Sequence, residues 1–370
     1  MINKVVFILS DSDDLHQTHR IQEFIEHGFD VDVYAFNRKD VTHKNVIFHF
    51  EIKIIGEFYN KDSYRKRIPI IWNAIKHVAN MYRAHKNVLF FYQGLSIALP
   101  AILLIRSPYI YEECDILQTG IKNKFVRFTL DLFDKFIVHK SLLTIFTSGG
   151  FLDYYNYEVK PNNVHIVTNR LHPSIIDLPH PAKRELNMSK LQVAFVGSMR
   201  YESIFNFTKV LLHNFPDFDF HLFGGMADEK FKTFLTYPNF HNHGVFRNPY
   251  DLPEIYSQLD LILCTYDNRD QNVLFAEPNK LYEAMYFKKP IIVSTNTFLE
   301  KKVRSLGIGY SVDPFDDDAI IQLLRSLTKD GILKVCACAA AIEVSECLND
   351  NASFFDSLAY EINNCKYYEN

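Results

Sequence analysis

Short apolar runs alternate with amphipathic stretches along the whole chain, and the hydrophobic period switches repeatedly between that of a strand and that of a helix. Val5-Val6-Phe7-Ile8-Leu9 predicts a first strand, which passes into the polar loop Ser10-Asp11-Ser12-Asp13-Asp14. A helix with Ile21, Phe24 and Ile25 on one face follows and ends at His27-Gly28, and 31–36 alternates as a second strand. A strand–helix–strand opening implies a parallel sheet with right-handed crossovers, and ligands bind at the carboxyl ends of such strands. The apolar run 88–105 is long enough to resemble a membrane span, but Gln93, Gly94 and Pro100 interrupt it. A strand over 88–92, a turn and a buried helix over 95–105 account for it better. Further strands are predicted over 108–116, 144–148 and 164–169. The polar stretch 173–190, with Pro173, Pro179 and Pro181, reads as a linker. It separates a domain of residues 1–172 from a second of residues 191–345, in which strands are predicted at 191–196, 218–223, 242–247, 260–264 and 291–293. Helices fill the remainder, and 346–370 is expected to return to the first domain.

Bulk properties narrow the class. A chain of 370 residues holds two domains of ordinary size, and 48% hydrophobic with 23% charged residues is the balance of a soluble globular protein. The net charge of −4 argues against nucleic acid as a partner. Lys and Arg slightly outnumber Asp and Glu in residues 1–170, and acids outnumber bases in the rest. The six cysteines show no metal-ligand spacing, and Cys336-Ala337-Cys338 has no second pair or histidine to partner it. Reduced thiols in a cytoplasmic protein fit that pattern. The opening apolar run is too short for a signal peptide.

The stretch 275–294 carries the chemistry. Pro278 suits the first turn of a helix, Leu281, Ala284, Met285 and Phe287 give that helix an apolar face, and Lys288-Lys289 in its last turn are followed by Pro290 as a stop. Lys280 and Glu283, three apart, project from one side. A cation beside the free N–H groups of a helix start suits a phosphate, and a carboxylate one turn on can accept both hydroxyls of a ribose. An ordinary amphipathic helix with an i, i+3 ion pair fits the same residues. Gly197-Ser198-Met199-Arg200, after the strand over 191–196, is a second strand–turn–cation arrangement of this kind. The first loop has no Gly-rich dinucleotide fingerprint, and its Asp cluster lacks the Gly and terminal Glu of a calcium loop, so it reads as a polar helix cap. His16, His19 and Arg20 begin the following helix and either line an acceptor site or lie on the surface.

Pro278-Asn279-Lys280-x-x-Glu283, followed by Lys289-Pro290-Ile291-Ile292-Val293-Ser294, resembles the donor-nucleotide motif of glycosyltransferase family 4 enzymes. The likeness runs over about residues 5–330 and is strongest over 191–310. It implies the GT-B fold, two doubly wound α/β domains facing across a cleft. It also implies sugar transfer from a nucleoside-diphosphate sugar to an acceptor hydroxyl, with retention and with neither metal nor cofactor. By this resemblance Lys280 and Arg200 contact the diphosphate, Glu283 holds the ribose, and Gly197, Gly224, Phe246 and Asn279 complete the nucleotide site. Many family members carry an acid eight positions before the ribose Glu. Phe275 stands there, so Glu277 and Asn272 are taken as the sugar-side residues. Asp115, with Glu113 second, is taken for the family's acidic or histidine position facing the transferred sugar, although both acids equally suit a helix cap.

Two basic amphipathic segments, around Arg65–Arg83 and 122–140, are either solvated crossover faces or a surface for an anionic membrane. The second option, with the resemblance, implies a lipid-linked or glycan acceptor at the cytoplasmic membrane face, in polysaccharide or glycoconjugate synthesis. A nucleotide-sugar epimerase of the same fold and an inactive nucleotide-sugar-binding protein are the alternatives.

Overall fold

The structure, a computed structural model, describes residues 2–12, 15–39, 50–59 and 62–364. The chain divides into two compact units, Met1–Val167 with Asn351–Asn370, and Thr168–Asp350.

Among the described residues, the sheet of the first unit has seven strands: β1 (Lys4–Leu9), β2 (Asp30–Arg38), β3 (Ile52–Phe58), β4 (Val88–Gln93), β5 (Tyr109–Glu113), β6 (Leu143–Phe146) and β7 (Val164–Ile166). They run parallel in the order β3-β2-β1-β4-β5-β6-β7. Central strands covered on both faces read as continuous apolar runs, as β1 and β4 do. The core is aromatic: Phe7 stacks on Phe91 at 4.7 Å, and Phe24 meets both rings edge-on. The helix Ala352–Asn364 closes this core with Phe354, Phe355 and Leu358, and the Phe355 ring lies 5.1 Å from that of Phe24. The chain therefore comes back to the first unit after Asp350. The strand β3 was not expected from sequence because an edge strand with half-exposed and exposed positions and two charged residues, Lys53 and Glu57, carries no apolar run longer than Ile54-Ile55. Asp13 and Asp14 of the expected cap lie outside the described residues.

The second unit's sheet has, among the described residues, β8 (Gln192–Val196), β9 (Asp219–Phe223), β10 (Phe240–Gly244), β11 (Leu261–Cys264), β12 (Ile291–Ser294) and β13 (Gly309–Val312), all parallel in the order β10-β9-β8-β11-β12-β13. Strand alternation splits its interior into two cores. Val193, Phe195, Phe220 and Leu222 point to one side, and Ala194, Val196, Ile262 and Cys264 to the other. The stretch expected as a linker belongs to this unit: the 3-10 turn Pro173–Asp177 buries Ile175 completely in the second of these cores.

The helix of the key stretch spans Asn279–Phe287, with Pro278 as its N-cap. Lys288 is not in its last turn, as the sequence suggested. It takes the left-handed conformation just beyond, at φ 58°. Lys289 turns inward, and its ammonium donates to the Leu259 carbonyl at 2.6 Å. Among the described residues no helix is long and apolar enough to cross a membrane.

Candidate functional site

The site is built at the carboxyl ends of β8, β9 and β11. After β8 the chain turns at Gly197, and after β9 at Gly224, with φ of 141° and 138°, conformations open to glycine. The Gly197 amide donates to the Phe223 carbonyl at 2.7 Å, and the Gly224 amide to the Gly244 carbonyl at 2.6 Å. The two turns touch so closely that a Cβ on Gly224 would sit 2.0 Å from the Gly197 oxygen. A Cβ on Gly197 would lie 3.0 Å from Nζ of Lys280, so bare backbone lets that ammonium approach.

Lys280 is 6% exposed. Its ammonium lies 5.1 Å from the ring centre of Phe195 and 5.8 Å from that of Tyr266, and among the described residues no carboxylate pairs with it. Arg200 is exposed beyond the Gly197 turn, with its guanidinium 5.0 Å from the Tyr201 ring centre and Nη2 donating to the Tyr201 hydroxyl at 3.0 Å. Tyr201 packs against Tyr266 at 4.8 Å, so the two cations share a run of aromatic rings. One turn on from Lys280, buried Glu283 accepts from the Tyr256 hydroxyl at 2.5 Å and from the Asn279 amide at 3.0 Å. Burial, and then the charge of Glu283, push the Tyr256 phenol well above its ordinary range. That phenol stays protonated and holds the carboxylate in place.

Phe246, after β10, packs half-buried against the core that contains Tyr256 and Leu281. Asn272 lies half-buried in the short helix Gln271–Phe275, which Asp270 caps. Glu277 is buried and accepts from the Tyr282 hydroxyl and the Lys302 ammonium. Lys280, Gly197, Gly224, Asn279 and Glu283 are thus brought together around the ends of β8 and β9. Phe195, Tyr201, Tyr256 and Tyr266 complete the arrangement and were not singled out from sequence. Their available signal was position, since Tyr201 and Tyr266 each follow the carboxyl end of a strand.

In the first unit the two candidate acids part company. Asp115 is exposed past the end of β5. Glu113, expected beside it, is fully buried and accepts from Tyr111 at 2.6 Å and Tyr155 at 3.1 Å. Asp134, buried on the helix Lys124–Lys140, lies within hydrogen-bonding distance of the same two phenols, which share their two protons between the carboxyls, and accepts from Gln118 at 2.8 Å. Burial, and then the neighbouring Asp134, raise the Glu113 carboxyl well above the carboxylate range, and burial raises Asp134. On the other face of β5, Glu112 is paired with Arg20 at 3.2 Å and with Gln17. That buried pairing takes Arg20 off the surface, where sequence allowed it, and the side chain of His16 lies outside the described residues.

Residues 179–341, most of the second unit, match the model of the family Glycosyl transferases group 1. Comparison with curated proteins gave no match. Among solved structures, the chain is similar to Anabaena Alr3699/HepE in complex with UDP and glucose, at 12% identity and a TM-score of 0.68, over 98% of this chain and 100% of that one. Sucrose-phosphate synthase from Thermosynechococcus elongatus is similar at 13% identity and a TM-score of 0.69, with the same coverage. A UDP-N-acetylglucosamine 2-epimerase is similar at 14% identity and 0.61, over 99% of this chain and 97% of that one. The fold is the expected GT-B class, and the family match together with that fold supports a place in the glycosyltransferase superfamily.

Proposed function

We propose that this protein transfers a sugar from a nucleoside-diphosphate sugar to an acceptor hydroxyl, in the manner of family 4 enzymes, with retention of configuration and without a metal ion. The observation that carries this reading is Lys280, a nearly buried lysine with no acidic partner among the described residues, its ammonium set against the bare backbone of Gly197. A diphosphate is the anion such a place suits. With Arg200 it would supply fixed positive charge as the leaving nucleotide gains negative charge, which is catalysis by electrostatic preorganisation. Glu283, locked by Tyr256 and Asn279, is the ribose acceptor in this reading. Gly224 lets the pyrophosphate approach, Phe246 flanks the base, Asn272 and Glu277 lie on the sugar side, and exposed Asp115 is the residue for the transferred sugar. Glu113, enclosed by Tyr111 and Tyr155, supports the end of the strand from which the chain runs on to Asp115.

The acceptor in this reading is a lipid-linked or cell-surface glycan reached from the cytoplasmic membrane face, within polysaccharide or glycoconjugate synthesis. Support comes from the helix Lys124–Lys140, which exposes Phe125, Phe128, Leu132 and Phe136 at helical spacing among Lys124, Arg127, Lys135 and Lys140. The helix Tyr64–Tyr82 likewise exposes Ile68 and Trp72 near Arg65 and Lys66. Pelleting with anionic liposomes at low salt, lost in Phe128→Asp with Leu132→Asp, is the expected result. Pelleting unaffected by those changes would leave a soluble acceptor.

The direct test is a thermal-shift screen of UDP-, GDP-, ADP- and CMP-sugars, followed by acceptor screening with the stabilising donor. UDP-sugars come first because the Anabaena protein was solved with UDP and glucose. Nucleotide released only when an acceptor is present distinguishes transfer from epimerisation. No stabilisation by any nucleotide sugar would refute the proposal.

A further inference from the structure

On one face of the β10 edge of the second unit, strand alternation brings Gln192 of β8, Asp219 and His221 of β9, and His241 and His243 of β10 side by side. His221 and His241 are directly paired across the strands, and their rings stack at 4.8 Å. The face carries two pairs of metal-ligating atoms that point at each other. His241 Nε2 lies 2.9 Å from Asp219 Oδ1, and His221 Nδ1 lies 2.9 Å from His243 Nε2. One ligand atom from each of Asp219, His221 and His241 lies within 4.8 Å of the others.

Gln192 orients both pairs. Its amide nitrogen donates to Asp219 Oδ2 at 2.9 Å, so its oxygen accepts from His221 Nε2 at 2.7 Å. That assignment leaves the lone pair of His221 on Nδ1, facing His243. A carboxylate, several imidazoles and an amide that fixes their orientation form the donor set of a borderline divalent ion, complete with its outer partner.

We propose that Asp219, His221, His241 and His243 bind a divalent transition-metal ion of the zinc class on this sheet edge. No net proton is released: His241 and His243 each move the Nε2 proton to Nδ1, and the metal takes the place it leaves. Ligand atoms around a tetrahedral zinc at its usual bond lengths stand about 3.3 Å apart, so those of Asp219, His221 and His241 draw in from within 4.8 Å, and His243, 2.9 Å from His221, completes the set. Lys190, exposed and 3.3 Å from Asp219, is the cation the ion displaces. The ion draws on none of Lys280, Arg200 and Glu283. It clamps the edge strand β10 to β9, at the base of the strands that lead to the Gly224 and Gly244 turns.

The full chain is titrated with zinc by calorimetry and with cobalt(II) by visible absorption. One equivalent of zinc should bind and raise Tm. Cobalt should give a ligand-field band without the near-ultraviolet absorption of a thiolate ligand, which separates this site from the cysteines. Asp219→Asn, His241→Gln and the exposed His243→Ala should each weaken zinc binding about tenfold or more, and Gln192→Ala should weaken it about 10–100-fold. Lys190→Ala should strengthen it. Circular dichroism of His243→Ala, whose side chain is at the surface, guards against misfolding. Absence of zinc binding, a cobalt–thiolate band, or an affinity unchanged in His241→Gln and His243→Ala would each overturn the proposal.

Discussion

Replacing Lys280 by methionine should move two measurements in opposite directions. Lys280 is 6% exposed as a residue, and among the described residues no acid pairs with its ammonium. Taking an ammonium out of water costs several kcal/mol, while contact with two aromatic faces, here Phe195 and Tyr266, returns about 0.5–2 kcal/mol. Methionine has a similar length and no charge to desolvate, so the substitution should stabilise the free protein by about 1–2 kcal/mol, or about 2–8 °C in Tm for a unit of this size. The donor should lose a charge-assisted hydrogen bond, about 1.5–3 kcal/mol, which weakens its binding roughly 10- to 150-fold. Thermal melts without ligand and calorimetry with the preferred nucleoside diphosphate measure the two effects on one sample. A variant that melts lower and binds the nucleotide as tightly as before would refute the argument, because Lys280 would then be a structural residue with no anion to meet.

Three further outcomes follow from particular contacts. Gly224→Ala combines a left-sided φ with a 2.0 Å clash on the Gly197 oxygen and should cost about 3–5 kcal/mol in urea unfolding. Gly28→Ala, with φ 84° but no heavy atom within 4 Å, should cost only about 1 kcal/mol, and equal losses would show that the clash is relieved. Glu283→Gln should weaken nucleotide binding by about 1.5–3 kcal/mol while the Tyr256 contact preserves the fold, and unchanged calorimetric affinity would remove Glu283 from the ribose. Glu113 has a folded pKa raised above its ordinary 4.5, so its contribution to stability is complete below that value and is lost as pH rises. Glu113→Gln, a neutral isostere, should therefore gain stability relative to the parent as pH climbs from about 4.5 to neutrality, and a Tm difference that ignores pH would contradict that sign.

Strands covered on both faces, such as β1, β4 and β12, were legible because burial on two sides demands uninterrupted apolar residues. The edge strand β3 was not legible, since Lys53 and Glu57 solvate one side of it. At the candidate site, the placement of Lys280 and Glu283 one turn apart was local information, and the helix Asn279–Phe287 delivers it. What Lys280 meets was not, because Gly197 and Phe195 come to it from β8, more than eighty positions earlier, through the sheet order. The same gap separates Glu113 from Asp115. Two positions apart, they read alike in sequence, yet one ends a strand facing Asp134 and the other has left the sheet. The histidines of the β10 edge were invisible for the further reason that His221 and His241 become neighbours only through strand register.

The helix Ala352–Asn364 gives the first unit a problem of timing. Phe354 and Phe355 cover Phe24, yet the ribosome delivers them only after residues 168–350. At ordinary elongation rates that interval lasts roughly 10–40 s. Throughout it, the Phe24 face of the first unit's sheet lacks its cover, while the second unit is made from one unbroken segment. The unit that begins first is thus the last to receive all of its core residues.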